Sequence, residues 1–359
     1  MSAPQPNPAT LPLRNIWYFA APSAEIKAGK MERRFYLGQP VVLGRTKSGR
    51  VFAMRDVCPH RAAPFSAGQQ SDEQGRACVE CPYHGWKFDV EDGTCRKIPA
   101  LSEREVFARE KVRAPIYPTH EQKGLIWIYI PDDLRRFDGV PDLDPPHIPD
   151  DIPGPAPKMI IHAKAEGPYD EAVIGLVDPA HTPFVHQQWF WRRPGDASEK
   201  VKDYEPTAFG FRMKPHRPSS NGRAYKLIGG AATTEIEFRL PATRLETIRN
   251  EKYTILGLTC ITPTEDNRAL ITQMFFWNMP LLSVLKPFTY PLAKTFLGQD
   301  GAILSAQNEN IALAKPVMLY AGDPDRLAQW YLALKRAYLA GGADKFENPI
   351  EATQLYWRT

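Results

Sequence analysis

The chain of 359 residues reads as an α+β protein in two parts. Three observations lead there. Up to about residue 130, Val, Phe, Tyr and Leu alternate or cluster between Gly-containing turns, without a helical period. Residues 131–158, PDDLRRFDGVPDLDPPHIPDDIPGPAPK, are dominated by Pro and Asp and hold no pattern at all. Beyond them, more strand-like runs are followed by two stretches of helical spacing, which is the order expected of an antiparallel sheet with helices gathered beside it.

Taken in order, the N-terminal MSAPQPNPATLP has neither the basic nor the apolar region of a secretory leader. FYLGQPVVLGRTKSGRVFAMRD supplies strands between turns, and GLIWIYIP reads as a buried strand. The Pro/Asp stretch marks a boundary: an N-terminal segment and first domain over 1–135, a linker over 136–158, and a second domain over 159–359. In the second domain VKDYEPTAFGFRMK, ATTEIEFRL, YTILGLTCITP and ALITQMFFWNMP read as strands. QDGAILSAQNENIALAK (299–315) and PDRLAQWYLALKRAYLAG (324–341) read as helices, the second after a Gly-Asp-Pro start. MFFWNMPLLSVLKPFTYPLAKTFL is very apolar, but Pro280, Pro287 and Pro291 interrupt it, which suits a pocket lid or subunit contact better than a membrane span. There is no internal repeat.

Composition excludes several classes. With 43% hydrophobic and 24% charged residues the chain is an ordinary globular protein able to bury a core. A formal charge of +4, with Lys and Arg spread among comparable numbers of Asp and Glu, does not imply nucleic acid. No apolar run reaches the length of a spanning helix, so no membrane is implied and a cytoplasmic protein is expected. Five cysteines, an odd number without the dense spacing of a secreted scaffold, point to metal or redox use rather than disulfides. Cys78, Cys95 and Cys260 read as small apolar residues.

The other two cysteines carry a pattern. In CPHRAAPFSAG (58–68) and CPYHGWKFD (81–89), a Cys-x-His is answered by a Cys-x-x-His. Cys58, His60, Cys81 and His84 could make a tetrahedral zinc site, and spacing alone leaves that open. Pro59 and Pro82 stiffen the turns after the thiols, while Gly68 and Gly85 permit close backbone approach, so the loops could also present N–H groups to the sulfides of an iron–sulfur cluster.

A second constellation lies in YDEAVIGLVDPAHTPFVHQQ, where Asp178, His181 and His186 form Asp-x-x-His-x4-His. Asp178 and His181 would share a helix face, but His186 would point about 140° away on an unbroken helix, so Pro183 is expected to bend the path. Two surface histidines beside a helix end satisfy the same spacing. A facial triad needs a carboxylate as well. Asp300 falls with Ile303, Leu304, Gln307 and Ile311 at helical spacing on an otherwise apolar face, although an Asp at a helix start also serves as an N-cap.

These residues resemble a known family. CPHR with its apolar-Ser-x-Gly continuation, CPYHGWKFD with Gly93 after it, and the upstream NIWYFAAPSAEI and LGQPVVLGR are similar to the Rieske domain of ring-hydroxylating oxygenases over most of residues 14–130, with QSDEQGRA as a surface-loop insertion. The resemblance implies that Cys58 and Cys81 hold one iron of a [2Fe–2S] cluster and His60 and His84 the other. It implies a mononuclear Fe(II) on His181, His186 and Asp300. Gln299 before Asp300 and Gln307 seven positions on match the family and favour Asp300 over Glu309, Asp323 or Asp325.

The implied protein is a terminal oxygenase α-subunit with a helix-grip second domain. It would use O2 and electrons from a ferredoxin or flavin reductase to hydroxylate or oxidatively demethylate an aromatic or similar apolar cyclic substrate. The family forms homotrimers, in which Asp178 would bridge His181 to His84 of the next subunit. Phe275, Phe276 and Trp277, within 225–290, are candidates for the pocket lining. A Rieske electron-transfer protein without oxygenase activity is the alternative, and a zinc-stabilised binding module a third.

Overall fold

The computed structural model describes residues 12–102, 104–186, 198–217, 231–265, 267–314 and 319–358. Residues 1–11, the last residue of the expected 299–315 helix, and 225–230 of the expected pocket region lie outside them. The chain forms two compact units, one from Arg14 to His147 with a short return at Thr264, the other comprising Ile148–Pro263 and Asn267–Thr359.

The first unit is all β apart from single 3-10 turns. Its strands are β1 (Ile16–Pro22), β2 (Met31–Tyr36), β3 (Gln39–Arg45), β4 (Val51–Arg55), β5 (Gln69–Glu73), β6 (Arg76–Glu80), β7 (Lys87–Asp89), β8 (Cys95–Lys97), β9 (Ile116–Tyr117), β10 (Thr119–Gln122) and β11 (Leu125–Ile130). They pair as three antiparallel sheets, in the orders β1-β11-β10, β2-β3-β4-β9 and β5-β6-β7-β8. Every residue of β1 and of β11 is buried, as their unbroken apolar runs require.

Between the β2–β4 and β5–β8 sheets lies a core of Val42, Phe52, Met54, Phe65, Val79 and Phe88 that includes Cys58, Cys81 and Cys95. QSDEQGRA is not a loop. It spans the β5–β6 hairpin, in register from Gln69↔Glu80 to Glu73↔Arg76 and closed by Gln74 and Gly75, both at positive φ. The Pro/Asp stretch is also tied down, with Trp17 Nε1 donating to the Leu143 carbonyl at 2.7 Å and Tyr129 OH to Asp142.

The second unit is built on one eight-stranded antiparallel sheet. Its elements are β12 (Met159–Glu166), α1 (Tyr169–Val177), α2 (Thr182–Val185), β13 (Glu199–Thr207), β14 (Gly210–His216), β15 (Thr233–Arg239), β16 (Thr243–Arg249), β17 (Thr254–Pro263), β18 (Arg268–Trp277), α3 (Pro280–Ala314), α4 (Arg326–Gly341) and β19 (Thr353–Arg358). The sheet order is β12-β18-β17-β16-β15-β14-β13-β19. Helix α4 covers one face, with Trp330 against Tyr204 and Phe211, and Tyr331 edge-on to Phe238. The register puts Phe275 and Trp277 on that same face, and Phe276, fully buried, on the other, so the three cannot line one pocket together.

Helix α3 is 35 residues long, begins well before the expected start at 299, and packs against the edge strand β12. Pro287 and Pro291 lie inside it. Asp300 is therefore twenty residues into a helix, and no N-cap.

Candidate metal centres

In the first unit the two Cys/His loops share one construction. Cys58 N–H donates to the Ala63 carbonyl and Cys81 N–H to the Trp86 carbonyl, at 2.9 and 2.8 Å, while the Cys58 and Cys81 carbonyls accept from Ala62 and Gly85. Ala62 and Gly85 both take positive φ to close these turns. The loops abut. A Cβ on Gly68 would stand 2.0 Å from the Glu80 carbonyl oxygen, so only glycine lets the segment after the first loop lie against the start of the second. Asp56, its side chain fully buried, accepts both the Ser66 N–H (2.7 Å) and the Ser66 hydroxyl (2.6 Å), tying off the first loop.

The four side chains sort into two pairs. Cys58 and Cys81 are buried, 2% and 3% exposed. Burial pushes the Cys58 thiol up to about 11, with Cys81 near enough to add to the rise and the backbone N–H groups of His60 and Arg61 opposing it. The His60 and His84 rings stand outside, 4.7 Å apart edge to face, with Trp86 stacked on His60 at 4.4 Å. Desolvation, then His84, lowers the His60 pKa, favouring a neutral imidazole.

A single tetrahedral ion, with bonds of about 2.0–2.3 Å, would draw all four donor atoms to within roughly 4 Å of one another. No three of these four come within 4.8 Å. A buried thiol pair beside a more exposed imidazole pair suits two irons bridged by sulfide better than one zinc.

In the second unit, among the described residues, only His181, His186 and Asp300 bring three such donor atoms within 4.8 Å of one another. The expected shared helix face of Asp178 and His181 is not there. Helix α1 ends at Val177, Asp178 is its extended C-cap, and Asp178 Oδ1 accepts the Ala180 N–H at 2.6 Å in a tight turn. His181 and His186 flank the single turn of α2, and Pro183 starts that turn rather than breaking a longer helix.

Asp300 Oδ1 is 3.1 Å from His186 Nε2 and 3.7 Å from His181 Nε2. His186 Nδ1 lies 3.1 Å from Gln299 Oε1, an acceptor, so Nδ1 carries the proton and Nε2 its lone pair. Phe296 stacks on His186 at 3.6 Å and helps keep it 1% exposed. His181 Nδ1 is buried without a hydrogen bond, facing Asp178 Oδ2 at 3.4 Å. Both Nε2 atoms thus converge on one carboxylate oxygen, a donor set suited to non-haem Fe(II).

Residues 16–118 match the Rieske [2Fe-2S] domain family, and residues 175–332 match the vanillate O-demethylase oxygenase C-terminal domain family. Two domain matches thus follow one another along the chain, an iron–sulfur domain and then an oxygenase C-terminal domain. Chloroplastic chlorophyllide a oxygenase of Arabidopsis thaliana is 33% identical to this chain over 215 residues, 58% of this chain and 35% of that protein. The toluene-4-sulfonate monooxygenase system iron–sulfur subunit of Comamonas testosteroni is 34% identical over 183 residues, 48% of this chain and 46% of that one.

The chain thus spans less than half the length of these curated relatives. Its fold is like that of dicamba monooxygenase bound to dicamba (TM-score 0.69, 20% identity, covering 91% of this chain and 98% of that one). It is equally like NdmB of Pseudomonas putida CBB5 (TM-score 0.69, 18% identity, covering 98% and 100%). Among the described residues no helix is long and apolar enough to cross a membrane.

Sequence reasoning missed Asp56, Trp86 and Phe296. Phe296 had a signal, since it lies one turn before Asp300 on the same helix face. The Asp56–Ser66 clamp had none, because ten residues of loop separate its partners.

Proposed function

We propose that this chain is a terminal oxygenase that uses O2 and externally supplied electrons to hydroxylate or oxidatively demethylate an aromatic or similar apolar cyclic substrate. The observation that carries the reading is the convergence of His181 Nε2, His186 Nε2 and Asp300 Oδ1 in a chain that also holds a Rieske domain. The names of relatives support it, among them a toluene-4-sulfonate monooxygenase subunit and a 3-chlorobenzoate-3,4-dioxygenase subunit. An electron carrier would need no second metal centre.

In this reading Cys58 and Cys81 hold one iron of the cluster and His60 and His84 the other, while His181, His186 and Asp300 hold the mononuclear iron. When bound, the cluster supplies single electrons and the mononuclear iron an open position for O2. Gln299 fixes the His186 ring by taking its Nδ1 proton in a hydrogen bond. Asp178 orients His181 from the opposite side. Hydroxylation of R–H with O2, two electrons and two protons gives R–OH and water, so electrons must enter from a ferredoxin or flavin reductase.

We place the domains at 1–135 and 159–359, joined by a linker over 136–158. A homotrimer completes the proposal, with Asp178 reaching His84 of the next subunit. Its support is the outward side of α3, where Val284 and Phe288 are each 72% exposed.

Metal analysis tests the reading. About three irons and two acid-labile sulfides per chain are expected, falling to about two irons in Asp300→Ala with the Rieske electron-resonance signal intact. Zinc without sulfide, or only two irons in the unaltered protein, overturns it.

A further inference from the structure

Helices α1 and α3 are joined at a second place, away from the histidines. Gln307 Nε2 donates to Glu171 Oε2 at 2.9 Å. Gln307 lies seven residues after Asp300, which is two turns less about 20°, so the two side chains leave α3 on the same face about 10 Å apart. Glu171 lies seven residues before Asp178. From Glu171 to His181 on one side and from Gln307 to Asp300 on the other, the chain runs in opposite directions between two cross-links. One is the Glu171–Gln307 bond, and the other is the set of metal donors.

Helix α1 buries Tyr169, Ala172, Val173 and Val177. A cavity of about 150 Å³ lies beside it, lined by Glu171, Ile174, Asp178, Tyr320, Asp325 and Ala328. Hydrogen bonds add to that packing. On the α4 side Asp170 receives the buried Lys335 Nζ at 2.6 and 2.7 Å and the Tyr331 hydroxyl at 2.6 Å. Adjacent carboxylates in the first turn of α1 therefore fasten it to two different helices, Asp170 to α4 and Glu171 to α3.

We infer that the Glu171–Gln307 bond sets the register between α1 and α3, and through it the separation of His181 from Asp300. Glu171 and Gln307 are positioning residues for the mononuclear metal. The inference rests on the triad reading above. Metal–ligand distances tolerate shifts of only about 0.2 Å, and neighbours that orient ligands typically change affinity by about 10–100-fold when removed. A hydrogen bond two turns away that fixes helix register belongs to that class.

The test uses full-length protein with its cluster intact and the mononuclear site emptied, titrated with Co(II) and followed by the cobalt d–d bands. Glu171→Leu and Gln307→Leu should each weaken Co(II) binding about 10-fold or more, with an unchanged Rieske signal. Glu171→Gln, which keeps an acceptor oxygen, and the exchange Glu171→Gln with Gln307→Glu, which reverses donor and acceptor, should bind within about threefold of the parent.

Leucine variants of parental affinity, or an exchange variant as weak as they are, overturn the inference. Should a leucine variant not fold, Gln307→Ala reads the same loss. Asp300→Ala serves as the reference: if it binds Co(II) like the parent, the triad assignment itself has failed, and the register pin falls with it.

Discussion

Gly301 follows Asp300 and faces the backbone of β12. A Cβ built on it would stand 2.6 Å from the Lys164 carbonyl oxygen, where an unstrained C···O contact needs about 3.3 Å. Gly301→Ala therefore asks α3 to move outward by roughly 0.7 Å, over three times the tolerance of about 0.2 Å in a metal–ligand bond. Asp300 moves with its helix. The expected outcome is a 10–100-fold loss of Co(II) or Fe(II) affinity at the mononuclear site, and about 1–3 kcal/mol of lost stability from overpacking.

Gly298 is the control. It lies in the same helix with nothing within 4 Å of its Cβ position, so Gly298→Ala should keep metal affinity and gain up to about 1 kcal/mol from helix propensity. The assay is cobalt titration with the Rieske electron-resonance signal as internal reference, beside thermal melting. Equal metal affinity in the two variants would show that the β12 contact does not set the depth of Asp300.

His84→Ala should abolish the red-brown colour and the Rieske signal, and an unchanged spectrum removes the cluster assignment. Asp178→Asn should retain both metals yet slow cluster reoxidation in a single turnover with substrate and O2. Normal product yield would refute the bridge, and loss of iron would make Asp178 a ligand. Burial raises the Glu171 pKa above the usual carboxylate value. Its protonated form is thus favoured in the fold, a contribution fully present below the unfolded value and lost as pH rises through the folded one. Glu171→Gln should therefore gain melting temperature over the parent as pH rises across that range, and a pH-independent difference would contradict the burial argument.

The sequence by itself determined the donor types and where they stand along the chain. Cys58, His60, Cys81 and His84 sit in short loops whose proline and glycine neighbours leave few backbone paths, so motif and local geometry nearly coincide. The β character of the first unit was legible for a similar reason, since β1 and β11 are continuous apolar runs bounded by turns.

Only the tertiary structure decided what depended on distant partners. Asp300 reads as a helix start because Pro287 and Pro291 argue against a helix before it, yet α3 is helical from Pro280 and carries Asp300 in its interior. The turn at Asp178 likewise replaces a helical face with an Ala180 hydrogen bond that spacing does not reveal. The convergence of His181, His186 and Asp300 joins residues more than 110 positions apart. It depends on how closely Gly301 lets α3 approach β12 and on how Glu171 meets Gln307. Local sequence carries neither contact, because each is a distance between two elements rather than a property of either.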